Sequence, residues 1–459
     1  MKWSVGLLVA APTALILLGA CGTKTPGTAS ATSTGTGETP PAVSAPASSA
    51  SSLAVSPSAT SSATKPDDGV AAASKAAVQA LDAYLKAPSA QRPEITEQPF
   101  ASVPLTKDDA ARAADLLATE LAVRTKAERR AELDAQSIKV DEATLRFEVR
   151  RFGDAPSKGH ALFLSLHGGG GTTTETNDSQ WRNQVDLYKP SEGIYVAPRA
   201  PTDAWNMWFV PEIEPLFDRL IADFVALEGV DPDRVYVMGY SAGGDGVYQI
   251  GPRMADRWAA AAMMAGHPND SSPLGLRNIG FTIHVGADDN AFDRNKVGAE
   301  WGKQLDLLHQ SDPSGYVHEV QIHAGKGHWM DLEDAVAVPW MQQFTRNPIP
   351  EKVVWVELGV PTWRCYWLAT HDVEVKQGAR IVATRGPQSV RLESVEGFAE
   401  VIVRLSDAMM DLDRDITITL GERTLFRGKP ARTIAALFET LGEREYRAAM
   451  FPSQVIVRP

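Results

Sequence analysis

Between residues 141 and 350, six short apolar runs recur: "ALFLSL", "GIYVAP", "RVYVMG", "AAAAMM", "FTIHVG" and "HEVQIH". Each is six residues long, too short for a core helix, and most lack the alternation of a strand with one wet face. Stretches of helical character separate several of them, at 211–227, 242–254, 296–308 and 331–344. Strands buried on both faces and joined through helices imply a mostly parallel sheet with helices on both sides. The alternating "TLRFEVRRF" before them predicts one half-buried strand at the start of this α/β domain.

The flanks read differently. Residues 67–140 predict a helical extension: Thr106 and Asp109 form a capping-box pattern, and Ala110, Ala113, Ala114, Leu117 and Leu121 recur at helical spacing. Residues 351–459 run through "VVWVEL", "CYWLAT", "ARIVATR", "SVRLES", "VIVRLS", "ITITL" and "QVIVRP", with one helical stretch at "ARTIAALFETL". This predicts a smaller, all-β module, a sandwich. Residues 22–66 are dominated by Ala, Ser, Thr, Pro and Gly, which bury too little apolar surface to offset ordering, so a disordered tether is expected.

Residues 1–21 combine an early lysine, an apolar run through Leu18 and small residues ending at Cys21, the pattern of an export signal. "LGAC" resembles a bacterial lipoprotein signal; that resemblance implies lipid attachment at Cys21, export, and membrane contact through the lipid alone. An ordinary signal peptide with an incidental cysteine is the alternative. Cys365 is the only other cysteine, so lipidation of Cys21 would leave no intramolecular disulfide. The net charge of -12, with no concentrated basic patch, argues against a nucleic-acid partner.

The chemistry-bearing pattern starts at Gly239-Tyr240-Ser241-Ala242-Gly243, a G-x-S-x-G between a predicted strand and a predicted helix. Such a turn is sharp enough to present Ser241 as a nucleophile, and the helix N-terminus favours negative charge beside it. "HGGGG" at 167–171 follows another strand. The backbone N–H groups of Gly168 and Gly169, with that of Ala242, are positioned to form an oxyanion hole. No Lys-Ser/Thr follows these glycines, which removes a P-loop reading. Asp288 and Asp289 follow the "FTIHVG" strand, and His328 follows "HEVQIH" in a Gly-flanked loop, giving the order serine, acid, histidine.

With these motifs in order, the segment from about Arg150 to Phe344 resembles the α/β-hydrolases of the esterase and prolyl-oligopeptidase-like kind, on "HGGGG", "GYSAGG", "GADD" and "GKGHW". The resemblance implies an α/β-hydrolase sheet and a serine hydrolase needing no cofactor, with Ser241 as nucleophile and His328 as base. It implies an acid three residues after Gly286, which is Asp289, with Asp288 as the alternative. Trp205, Trp208 and Trp329 are candidates for an aromatic pocket, with local core packing as the competing reading. No metal-ligand spacing is present in the sequence. A small-molecule ester or a peptide is the expected substrate, a non-catalytic surface-binding lipoprotein is the competing class, and no role follows for the C-terminal module.

Overall fold

The structure, a computed structural model, describes residues 66–459 apart from residue 373. The export segment with Cys21 and the tether up to residue 65 lie outside the described residues. Two helices come first, α1 (Pro66–Lys86) and α2 (Lys107–Asp134). The expected periodic residues Ala110, Ala113, Ala114, Leu117 and Leu121 are all buried. Thr106 caps α2 by accepting from the N–H of Asp109 (3.2 Å). The reciprocal half of the capping box differs: Ser74 of α1 accepts the Thr106 N–H (2.9 Å) and donates to the Asp109 carboxylate (2.6 Å). The cap thus ties the two helices together.

An eight-stranded sheet follows, built from β1 (Ser137–Val140), β2 (Ala143–Phe152), β3 (His160–Leu166), β4 (Gly193–Arg199), β5 (Val230–Tyr240), β6 (Ala260–Met264), β7 (Gly280–Gly286) and β8 (His318–His323). Its order is β1-β2-β4-β3-β5-β6-β7-β8. β1 and β2 form an antiparallel hairpin, β2 pairs antiparallel with β4, and the other six strands are parallel. The sheet therefore begins four residues before the expected boundary at 141, because "SIKV" is too short to display a period.

Side-chain alternation splits the strands between two cores. Leu162, Leu164, Val196, Val235, Val237 and Met263 enter one. Ala161, Phe163, Tyr195, Tyr236, Met238 and Met264 enter the other. The second core is closed by α3 (Thr174–Val185) and the short α7 (Ala337–Met341). The first is closed by α4 (Ile213–Glu228), α5 (Ala242–Arg253) and α6 (Arg294–Ser311). This is the α/β-hydrolase fold class expected from the sequence, with helices on both faces. α3 was not expected: "TETNDSQWRNQV" is polar almost throughout, so it has no apolar stripe to read.

After residue 350, β9 (Lys352–Val356), β12 (Arg380–Arg385), β13 (Ser389–Glu396), β15 (Ile416–Leu420) and β16 (Arg423–Gly428) make a five-stranded sheet. β10 (Arg364–Cys365), β11 (Leu368–Ala369), β14 (Val401–Leu405) and β17 (Ser453–Val457) make a four-stranded one. "CYWLAT" is a tight hairpin rather than one strand, turning at Tyr366 with φ 55°. The predicted helix is α8 (Ile434–Arg444).

Apolar residues of both small sheets join the first core of the main sheet. Buried polar contacts reinforce that junction. The Tyr366 hydroxyl donates to the Ala255 carbonyl (2.7 Å), and Arg444 donates to the Asp256 carboxylate (2.8 Å), 4% exposed. Arg364 lies 3.8 Å from the same carboxylate, so removing Arg444 costs Asp256 its direct hydrogen bond but not all of its compensation. Arg444→Leu is therefore expected to lower unfolding stability by about 1–3 kcal/mol, read from urea denaturation; a change under about 1 kcal/mol would show that the pair behaves as a solvated one.

Candidate active site

The C-terminal ends of β3, β5 and β7 and the loop after β8 converge on one rim of the sheet. β5 delivers Ser241 there in a strained conformation, φ 58° and ψ -121°, immediately before α5. Only small neighbours permit this bend. A Cβ on Gly239 would lie 2.2 Å from the Gly243 carbonyl oxygen, and one on Gly243 would lie 2.1 Å from that of Leu166. The serine N–H donates to the Met264 carbonyl (2.9 Å) and its carbonyl accepts from Asp245 N–H (3.0 Å), so the backbone is fixed on both sides.

His328 Nε2 lies 2.9 Å from Ser241 Oγ, and His328 Nδ1 lies 2.8 Å from Asp289 Oδ2. The two aspartates separate cleanly. Asp289 is 2% exposed and held by its N–H to the Gly286 carbonyl (3.1 Å) and by Asn295 N–H to its own carbonyl (3.1 Å). Asp288 is exposed, and the imidazole's hydrogen bond goes to Asp289 instead. With Nδ1–H facing a buried carboxylate, Nε2 is left as the acceptor for the serine proton.

Tyr240, next to the serine, has no sequence signal that sets it apart from other strand residues. Its hydroxyl donates to the His328 carbonyl (2.6 Å) and accepts from Met330 N–H (3.1 Å). Elbow and histidine loop are thereby clipped to each other.

The glycine loop is built on a buried histidine. Ala200 N–H donates to His167 Nε2 (3.1 Å), so the ring proton sits on Nδ1, which donates to the Gly168 carbonyl (2.6 Å). Burial pushes this imidazole down to about 4. Asn177 on α3 accepts from Gly170 N–H (2.8 Å) and donates to Asp203 (2.9 Å). Among the described residues, the N–H groups of Gly168 and Gly169 have no partner, and a Cβ on Gly168 would lie 3.1 Å from Ser241 Cβ. They border the serine alongside Ala242, the first residue of α5. Asn177 gives no sequence signal, because it sits in the polar helix that carries no apolar period.

A cleft of about 890 Å³ opens over these groups, lined by Ser241, His328, Gly168, Gly169, Tyr240 and Trp329 among others. Trp329 therefore lies where a pocket residue was expected. Trp208 does not: it is fully buried, and its Nε1 donates to the His167 carbonyl (2.8 Å) beneath the loop. Trp205 is 61% exposed and packs against Gly171 outside the cleft lining. Its aromatic character gave no way to separate these three positions. His284 and His323 are buried against each other, 3.2 Å apart, and away from the serine. Among the described residues no group of three or more His, Cys, Asp or Glu side chains is placed to hold a metal ion.

No protein-family model and no curated protein matches this chain. Among solved structures it resembles a thermostable esterase, at 19% identity and TM-score 0.35, over 46% of this chain and 62% of that one. It also resembles the BES protein from Bacillus cereus (11%, TM-score 0.34, over 45% and 92%) and esterase PE8 (18%, TM-score 0.31, over 43% and 98%). All three likenesses are partial, and none places the chain in a family.

The buried neutral His167 has a pH consequence. Between pH 6.5 and about 4 the unfolded chain takes up a proton that the folded loop refuses, so this contribution is complete above pH 6.5 and lost as pH falls. His167 is expected to account for roughly 3 kcal/mol of the stability lost over that range, so the drop is shallower by about that amount in His167→Gln. Urea unfolding at several pH values measures both; parallel curves for the two proteins would rule out a neutral buried imidazole.

Proposed function

We propose that this protein is a serine hydrolase that cleaves a carboxylic ester through an acyl-enzyme on Ser241. The carrying observation is the continuous chain of two short contacts from Ser241 Oγ through the His328 ring to Asp289. His328 Nε2 takes the hydroxyl proton as Oγ attacks the carbonyl carbon, and Asp289 stabilises the resulting imidazolium and holds its tautomer. The carbonyl π pair moves onto oxygen, where the N–H groups of Gly168, Gly169 and Ala242 receive the charge. Collapse expels the alkoxide, which takes the proton from His328. Water then attacks the ester on Ser241, with His328 again accepting a proton and returning it to Oγ.

A fluorophosphonate probe tests the nucleophile directly. Labelling of the wild type and its loss in Ser241→Ala, with at least about a thousandfold fall in kcat/KM on p-nitrophenyl acetate, is the expected result. A folded wild type that takes no label would defeat the proposal. Cleavage of a peptide panel with no ester turnover would move the site to the peptidase alternative.

The exported, lipid-anchored setting is part of the same proposal: export rests on the lysine and apolar run of residues 1–21, and the lipid on "LGAC". Mass spectrometry of the protein from its native membrane is expected to find Cys21 as the acylated mature N-terminus; an intact Met1 would remove the anchor.

A further inference from the structure

The two walls of the cleft differ in chemistry, and that difference bears on substrate class. One wall is α3. Thr176, Gln180 and Asn183 line the cleft at spacings of four and three residues, which places them on one helical face. All three are exposed, and among the described residues the side-chain amides of Gln180 and Asn183 have no hydrogen-bond partner. Gln180 Oε1 reaches the oxyanion loop, 3.7 Å from where a Cβ on Gly168 would stand. A primary amide both donates and accepts, which matches an alcohol hydroxyl and not a hydrocarbon.

The other wall is the loop after His328. Trp329 and Leu332 line it, 49% and 44% exposed, and neither is withdrawn into the core. Asp331 and Leu332 both take left-handed backbone conformations, φ 53° and 65°, which non-glycine residues adopt only at a cost. Lys326 holds this turn through Asp331 (2.9 Å) and Glu333 (3.0 Å). The strain presents apolar side chains to the cleft rather than burying them. Of the charged side chains at the rim, Asp186 is paired with Arg150 (2.9 Å), and Arg182 on α3 also lines the cleft.

We infer that the substrate is an ester with a hydroxyl-bearing group on one side of the scissile bond, bound by Gln180 and Asn183, and an apolar group on the other, bound by Trp329 and Leu332. This rests on the ester-hydrolase proposal above. Water competes with the substrate hydroxyls for the amides, so the gain is moderate, whereas an apolar chain laid on α3 would strip the amides of water without return.

Three probes test it: glycerol 1-monobutyrate, with hydroxyls on the alcohol side; benzyl glycerate, with hydroxyls on the acyl side; and benzyl butyrate, apolar on both. For one of the two hydroxylated esters, kcat/KM relative to benzyl butyrate is expected to fall about tenfold or more in the double variant Gln180→Met/Asn183→Leu. The ester that responds identifies which half of the substrate lies on α3. A second measurement needs no variant: free glycerol or glycerate is expected to inhibit the wild type competitively, and better than propanol or propionate. Unchanged ratios in the folded variant, or inhibition that follows apolarity alone, would overturn the inference while leaving Ser241 labelled by the fluorophosphonate. An unlabelled Ser241 would overturn the hydrolase proposal, and the inference with it.

Discussion

The position of every group at the site depends on how closely three strand ends approach around Ser241. The Gly243 backbone lies against the Leu166 carbonyl at the end of β3, and the serine N–H is bonded to the Met264 carbonyl at the end of β6. These contacts hold the serine at φ 58°, a conformation that costs of order 1–3 kcal/mol when unsupported. They also fix the glycine loop, because that loop leaves β3 one residue after Leu166. Ser241 and the glycine loop thus share one set of backbone contacts.

Beneath the rim, order is maintained by buried polar groups that satisfy one another. His167 joins the glycine loop to the end of β4 through Ala200, Trp208 closes the His167 carbonyl from below, and Asn177 joins the loop to Asp203. Each is a group whose desolvation would be costly without its partner. In the low-dielectric interior the satisfied network restricts the loop to one arrangement, which loops rarely achieve by apolar packing. Under the proposed hydrolysis the loop N–H groups would have to be oriented before charge develops, and this network holds them from below the cleft.

The sequence showed the central strands because their burial on both faces leaves uninterrupted apolar runs, and it showed the motifs because glycine, serine and histidine stand at strand ends. Elsewhere the signal failed for identifiable reasons. α3 packs by a few residues such as Val185 and presents amides outward, so its composition reads as loop. β16 (Arg423–Gly428) has no buried residue, so it shows no apolar run beside "ITITL". The choice between Asp288 and Asp289 rested on family pattern, since two adjacent carboxylates are equivalent as residues. What separates them is the turn closed by Asp289 N–H on the Gly286 carbonyl, which turns one inward and leaves the other in water. Trp208 and Trp329 were likewise indistinguishable until the former was seen to be tied to the His167 carbonyl.

The C-terminal region gains a structural purpose from the weakness of α5. That helix, "AGGDGVYQIGPR", contains four glycines and a proline among twelve residues, the poorest helix formers available. The close approach at the elbow demands the glycines nearest the serine, so stability has to come from outside the helix. Its far end is secured by Arg253 on Glu214 (2.6 Å), and the turn that follows by Tyr366 on Ala255, Arg444 on Asp256, and Arg346 on the Asp256 carbonyl (2.7 Å). Tyr366 and Arg444 belong to residues 351–459. Propensity alone would let α5 fray and its first turn drift; clamping the distal end converts that deficit into a fixed axis. The β-rich region is on this account part of the scaffold that keeps the serine in place, at a distance from the cleft it stabilises.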